Sequence, residues 1–137
     1  MPRVELGMHD PSLHELRFAS SRELGDLRVA AAAALRNHGR SERHIAAVQL
    51  VLSELATNAL MHADPPFCVA IDIAAHETLV MVRDGGSGDA TARRPAFLDG
   101  GYGLNLINVL ASNWGASPNP SQSGKNVWAA IDRDAEL

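Results

Sequence analysis

Glu54 and Asn58 stand one helical turn apart in the run Glu54-Leu-Ala-Thr-Asn58-Ala-Leu-Met-His62, whose apolar residues have helical spacing. At about 100° per residue, Glu54, Asn58 and His62 share one stripe, so the first two side chains reach the same bound group. A carboxylate so placed can take a proton from an attacking hydroxyl, and an amide oxygen can hold Mg2+. That ion keeps several waters and takes phosphate oxygens, so one protein ligand is enough. Asp84 closes an apolar strand pattern and is followed by Gly85-Gly-Ser-Gly88. Its carboxylate can accept a hydrogen bond from an amino group. Gly86 and Gly88, lacking Cβ atoms, let the backbone approach a flat ring. Gly101 and Gly103 precede a short helical pattern whose free N–H groups and dipole favour phosphate.

The elements that must position these residues follow from periodicity. Residues 13–18 form a short edge strand. Ser20-Ser-Arg-Glu23 is a capping box, and Leu24, Leu27, Ala31 and Leu35 then repeat at helical spacing up to Gly39, giving a helix over 21–38. Ser41 caps a second helix. Its Ile45, Val48, Leu52, Leu55 and Ala59 form a core stripe distinct from the Glu54 stripe, and Asp64-Pro65-Pro66 ends it. Phe67, Val69, Ile71 and Ile73 alternate as a strand, and residues 79–84 form its hairpin partner across His76-Glu77. Residues 85–103 read as a long functional loop. A helix around Leu104, Ile107 and Ala111 follows, then a strand from Trp114, a loop over 118–124, and a strand with Val127, Ala129 and Ile131 alternating. The expected fold class is α+β, a two-layer sandwich with helices on one face of a mixed, largely antiparallel sheet.

Composition narrows the chemistry. The 137 residues and 46% hydrophobic content suit one domain with a packed core. Net charge −4 argues against a sequence-independent grip on a phosphate backbone, so no direct nucleic-acid partner is expected. Lys125 is the sole lysine, and Cys68 the sole cysteine, which excludes an internal disulfide and suits a reducing cytoplasm. The apolar stretch over 29–35 is far short of a bilayer span, so no membrane partner is expected. Two nucleotide motifs fail by position. A P-loop ending at Gly124-Lys125 would need glycine at Asn119 and a hydroxyl at Asn126, and a Rossmann fingerprint from Gly101-x-Gly103 would need glycine at Leu106. The histidines show no metal-ligand spacing.

Four short pieces remain in a fixed order: Glu54 to His62, Asp84 to Gly88, Gly101-Tyr-Gly103-Leu104, and Gly124-Lys-Asn-Val127. Taken singly, each has a plain reading as a solvated helix face, a connector or a turn. Together they resemble the ATP-binding boxes shared by DNA gyrase, a major heat-shock chaperone, sensor histidine kinases and the mismatch protein MutL. The short anti-sigma-factor serine/threonine kinases of that superfamily look most similar. The resemblance implies a Bergerat-type ATPase domain over 12–133 after a short extension, 1–11. It implies Glu54 as catalytic base and Asn58 as Mg2+ ligand. Asp84 would accept from the adenine amino group, and Gly86, Gly88, Gly101, Gly103, Leu104 and Asn126 would line the ATP site. Residues 89–100 would form a lid, with Arg93 and Arg94 near the γ-phosphate or merely solvating the loop. His62 is open between a functional and a helix-end role.

The activity so implied is phosphorylation, with Mg-ATP, of a Ser or Thr on an anti-anti-sigma protein, in a chain that also sequesters a sigma factor in the cytoplasm. A homodimer through the N-terminal strand and helix is implied by the resemblance. The chain departs from the pattern at two places. Tyr102 stands where many short relatives carry Arg, and Asn126 where many carry the Thr that supports the adenine-binding Asp. These departures keep an alternative open, an ATP-binding module that sequesters a partner without phosphoryl transfer. The length disfavours a sensor-kinase fragment or a multidomain hydrolase.

Overall fold

The computed structural model describes residues 13–85, 102–118 and 124–137. Five strands form one sheet: β1 (Leu13–Phe18), β2 (Phe67–Ile73), β3 (Glu77–Arg83), β4 (Asn113–Pro118) and β5 (Lys125–Asp132). Three helices accompany them: α1 (Leu24–Asn37), α2 (Glu42–His62) and α3 (Tyr102–Leu110). The sheet order is β1-β2-β3-β5-β4. Among the described residues every pairing is antiparallel, so the sheet expected to be mixed and largely antiparallel is wholly antiparallel there. The reason lies in β5, which returns from β4 and inserts between it and β3, leaving no parallel neighbours. The chain has the α+β architecture expected from its pattern.

Local sequence sets the helix ends. The Glu23 carboxylate accepts from the backbone N–H groups of Ala19 and Ser20 at 2.8 and 3.1 Å, closing the capping box. That first turn, Ser21–Glu23, is a 3-10 turn, so the α-helix proper starts three residues later than the spacing suggests. Ser41 Oγ accepts from the His44 N–H at 3.0 Å and starts α2. α3 begins at Tyr102 rather than Leu104, so the N–H groups of Gly103 and Leu104 fall among its free first-turn donors.

α2 is long and apolar enough, by length and composition, to cross a membrane. In this fold its apolar side is the middle of the core. Ile45, Val48, Val51, Leu52 and Leu55 are buried against Val69 and Ile71 of β2, Val80 and Val82 of β3, and Ala129 and Ile131 of β5. These strand residues alternate, so the helices cover one face of the sheet. The other face carries Cys68, Met81, Arg83, Asn126 and Trp128 at intermediate exposure. Burial is the main cause that pushes the Cys68 thiol up, with the Glu15 carboxylate adding to it. It is a small strand residue rather than a reactive one.

One polar group is sealed into the core. His44 is fully buried, with Nδ1 2.9 Å from the Ala135 carbonyl and Nε2 3.1 Å from Thr78 Oγ1. A carbonyl only accepts, so Nδ1 carries the proton and Nε2 accepts from the Thr78 hydroxyl. The imidazole thus ties α2 to β3 and to the C-terminal tail, where the Leu137 N–H also donates to the Arg43 carbonyl at 3.1 Å. Replacing His44 by Ala removes both bonds, strands the Thr78 hydroxyl and leaves a cavity. A loss of about 2–4 kcal/mol is expected, read as a lowered midpoint in urea denaturation with an unchanged slope.

Candidate functional site

The core stripe of α2 dictates where its chemical stripe points. With Val51, Leu52, Leu55 and Ala56 inward, Glu54 and Asn58 are left half-exposed on the flank of the helix, one turn apart. Neither side chain makes a hydrogen bond or ion pair with another described residue. Their polar atoms are left unengaged by the described residues. His62, one turn further, is exposed at the end of the helix.

The end of α2 is then bonded to the end of β3. The Gly85 N–H donates to the Asp64 carbonyl at 2.8 Å, just beyond the helix. A Cβ on Gly85 would lie 2.3 Å from the Pro65 carbonyl oxygen, so only glycine permits this approach. A shallow groove of about 560 Å³ flanks the same turn, lined by Phe18, Glu23, Pro65, Pro66 and Phe67. It contains none of the residues with candidate chemistry.

Asp84 follows β3 and is 6% exposed, and its backbone N–H donates to the Lys125 carbonyl at 3.1 Å. Lys125 answers twice. Its Nζ donates to Asp84 Oδ2 at 2.9 Å, and its backbone N–H to Oδ1 at 3.3 Å. Gly124 makes that seat possible: it takes φ +100°, and a Cβ there would fall 2.3 Å from the Asp84 carbonyl oxygen. The result is a buried, charge-assisted pair, with the side chains of Lys125 and Asp84 9% and 5% exposed.

The sequence expectation put Asn126 beside Asp84, and the structure puts Lys125 there. Strand periodicity is the reason. Lys125 shares the inward parity of Val127, Ala129 and Ile131. Asn126 faces the opposite side of the sheet, where it is paired with Arg83 in the register and its Oδ1 accepts from Arg83 Nε at 3.2 Å. The missed residue carried a readable signal, since alternation counted back from Ile131 sends Lys125 inward.

Gly103 and Leu104 lie in the first turn of α3, which packs against α2. Gly86, Gly88, Gly101, Arg93, Arg94 and the rest of the expected lid lie outside the described residues, as does the N-terminal extension. Among the described residues no group of three or more His, Cys, Asp or Glu side chains could hold a metal ion. Removing the Asp84 carboxylate alone leaves the Lys125 ammonium buried and unpaired. Asp84→Ala is expected to cost about 3–5 kcal/mol, and the double change Asp84→Leu, Lys125→Met to cost less, both checked by thermal unfolding.

A search of the curated proteins finds no match to the chain. A family model described as the histidine kinase-like ATPase domain matches residues 19–131, a span that begins just after β1 and takes in all three helices, β2 to β4 and nearly all of β5. The match spans the Glu54–Asn58 helix, the Asp84 turn and the Gly124-Lys125 seat together, and the chain belongs to the histidine kinase-like ATPase domain family.

Proposed function

We propose that this protein is an ATP-dependent serine/threonine kinase of the anti-sigma type. It would phosphorylate an anti-anti-sigma protein and, by sequestering a sigma factor, regulate transcription. The observation that carries the reading is the pair Glu54 and Asn58, half-exposed and unengaged by other described side chains, one turn apart on α2. Family membership supports ATP, usually with Mg2+, as the ligand.

The residues present fit that ligand. Asn58 would supply an amide oxygen to Mg2+, and the first-turn N–H groups of α3 would favour phosphate. Asp84 retains lone pairs for a base amino group. Bound Mg-ATP supplies a transferable phosphoryl group whose charge the cation spreads. Glu54 holds the substrate hydroxyl and takes its proton. The reading includes a cytoplasmic location and a homodimer.

A second reading, an ATP-binding module that sequesters its partner without transfer, is favoured by Tyr102 and by the Lys125 pair on Asp84. Incubation with labelled ATP and a candidate anti-anti-sigma protein separates the two. Transfer to the partner is expected, and Glu54→Ala should lower its rate by about 10²–10⁴-fold while ATP affinity holds within a few-fold. ATP binding without transfer by the unaltered protein would favour the second reading. Full activity in Glu54→Ala would remove Glu54 as the base.

A further inference from the structure

A lone carboxylate offers a ligand only acceptors, and so selects a base edge that begins with an N–H donor. At Asp84 the situation differs, because the Lys125 ammonium is seated 2.9 Å from Oδ2. An ammonium carries three donors, and the Oδ2 bond uses one of them. Each Asp84 oxygen accepts one bond from Lys125, one from Nζ and one from the backbone N–H. A carboxylate has about four lone-pair sites, so it can still accept from a ligand. The pair thus presents a free acceptor beside free donors.

Both kinds of purine carry the complement of such a pair. An aminopurine has an amino donor next to a ring-nitrogen acceptor. An oxopurine has a carbonyl acceptor next to a ring N–H donor. Asp84 alone would repel the oxopurine carbonyl, and the ammonium removes that repulsion and offers it a charged hydrogen bond. Lys125 is also held in place. Gly124 fixes its backbone, its own N–H is bonded to Oδ1, and leaving would strand a buried carboxylate.

We propose that Lys125 is a specificity-determining residue of the nucleotide site, and that the Asp84–Lys125 pair admits guanine as well as adenine nucleotides. This rests on the reading of the site as a nucleotide site. Calorimetric titration of the whole chain with ADP and with GDP, each with Mg2+, tests it. The unaltered protein is expected to bind the two within about tenfold of each other. Lys125→Thr should weaken both nucleotides, and GDP by about tenfold or more beyond ADP, because each loses a bond from the ammonium and GDP alone regains the repulsion between its carbonyl and Asp84. Lys125→Met should behave likewise, and circular dichroism shows which variants are folded.

A preference for ADP above about a hundredfold in the unaltered protein overturns the assignment without any variant. So does an ADP-to-GDP ratio that folded Lys125 variants leave unchanged. Binding of ADP alone sinks only the role of Lys125, whereas binding of neither nucleotide sinks the nucleotide-site reading and this inference with it.

Discussion

The turn that ends β3 is clamped from two sides, by the end of α2 and by the start of β5, and this double closure holds the two halves of the core together. On one side the Asp64 carbonyl holds the Gly85 N–H, so the end of the core helix α2 and the end of the central strand cannot separate. On the other, Gly124 and Lys125 close over Asp84 through a backbone bond, a backbone-to-carboxylate bond and a buried ion pair. A buried carboxylate without partners would be costly, and here it has two donors, the Lys125 ammonium and the Lys125 backbone N–H. Two glycines permit the approach, since a Cβ at either would overlap backbone atoms.

The same economy shapes α2. One stripe fills the core against β2, β3 and β5, and the flank left over carries Glu54 and Asn58. Because the core stripe cannot rotate without exposing Val51, Leu52 and Leu55, the chemical pair is aimed by hydrophobic packing rather than by its own bonds. His44, bonded to Ala135 and Thr78, fixes the start of the helix in the same way that Asp64 fixes its end. The candidate pair Glu54 and Asn58 is thus mounted on a helix fixed at both ends.

Much of this was legible in the sequence because it depends on local periodicity. The two stripes of α2, the alternation of Phe67 to Ile73 and the caps at Ser20 and Ser41 are consequences of spacing alone. What depended on long-range pairing was not. The strand order with β5 between β3 and β4 has no local signature, so the pattern predicts a largely antiparallel sheet but not that each described pairing is antiparallel. Its place in a box matches Asn126 to Asp84, yet the face of a strand is decided by register, and a shift of one residue exchanges the faces. Lys125, the only lysine, is the residue that this shift brings to Asp84.

On the proposed function, the Asp84–Lys125 seat and the Glu54–Asn58 flank belong to one ligand site. Titration of isotopically labelled protein with Mg-ADP, followed by amide NMR, tests it most directly. The amide signals of Asp84, Gly85 and Lys125 and those around Glu54 and Asn58 are expected to shift together, with one dissociation constant. Shifts confined to one of the two groups, or saturating at different concentrations, would contradict it.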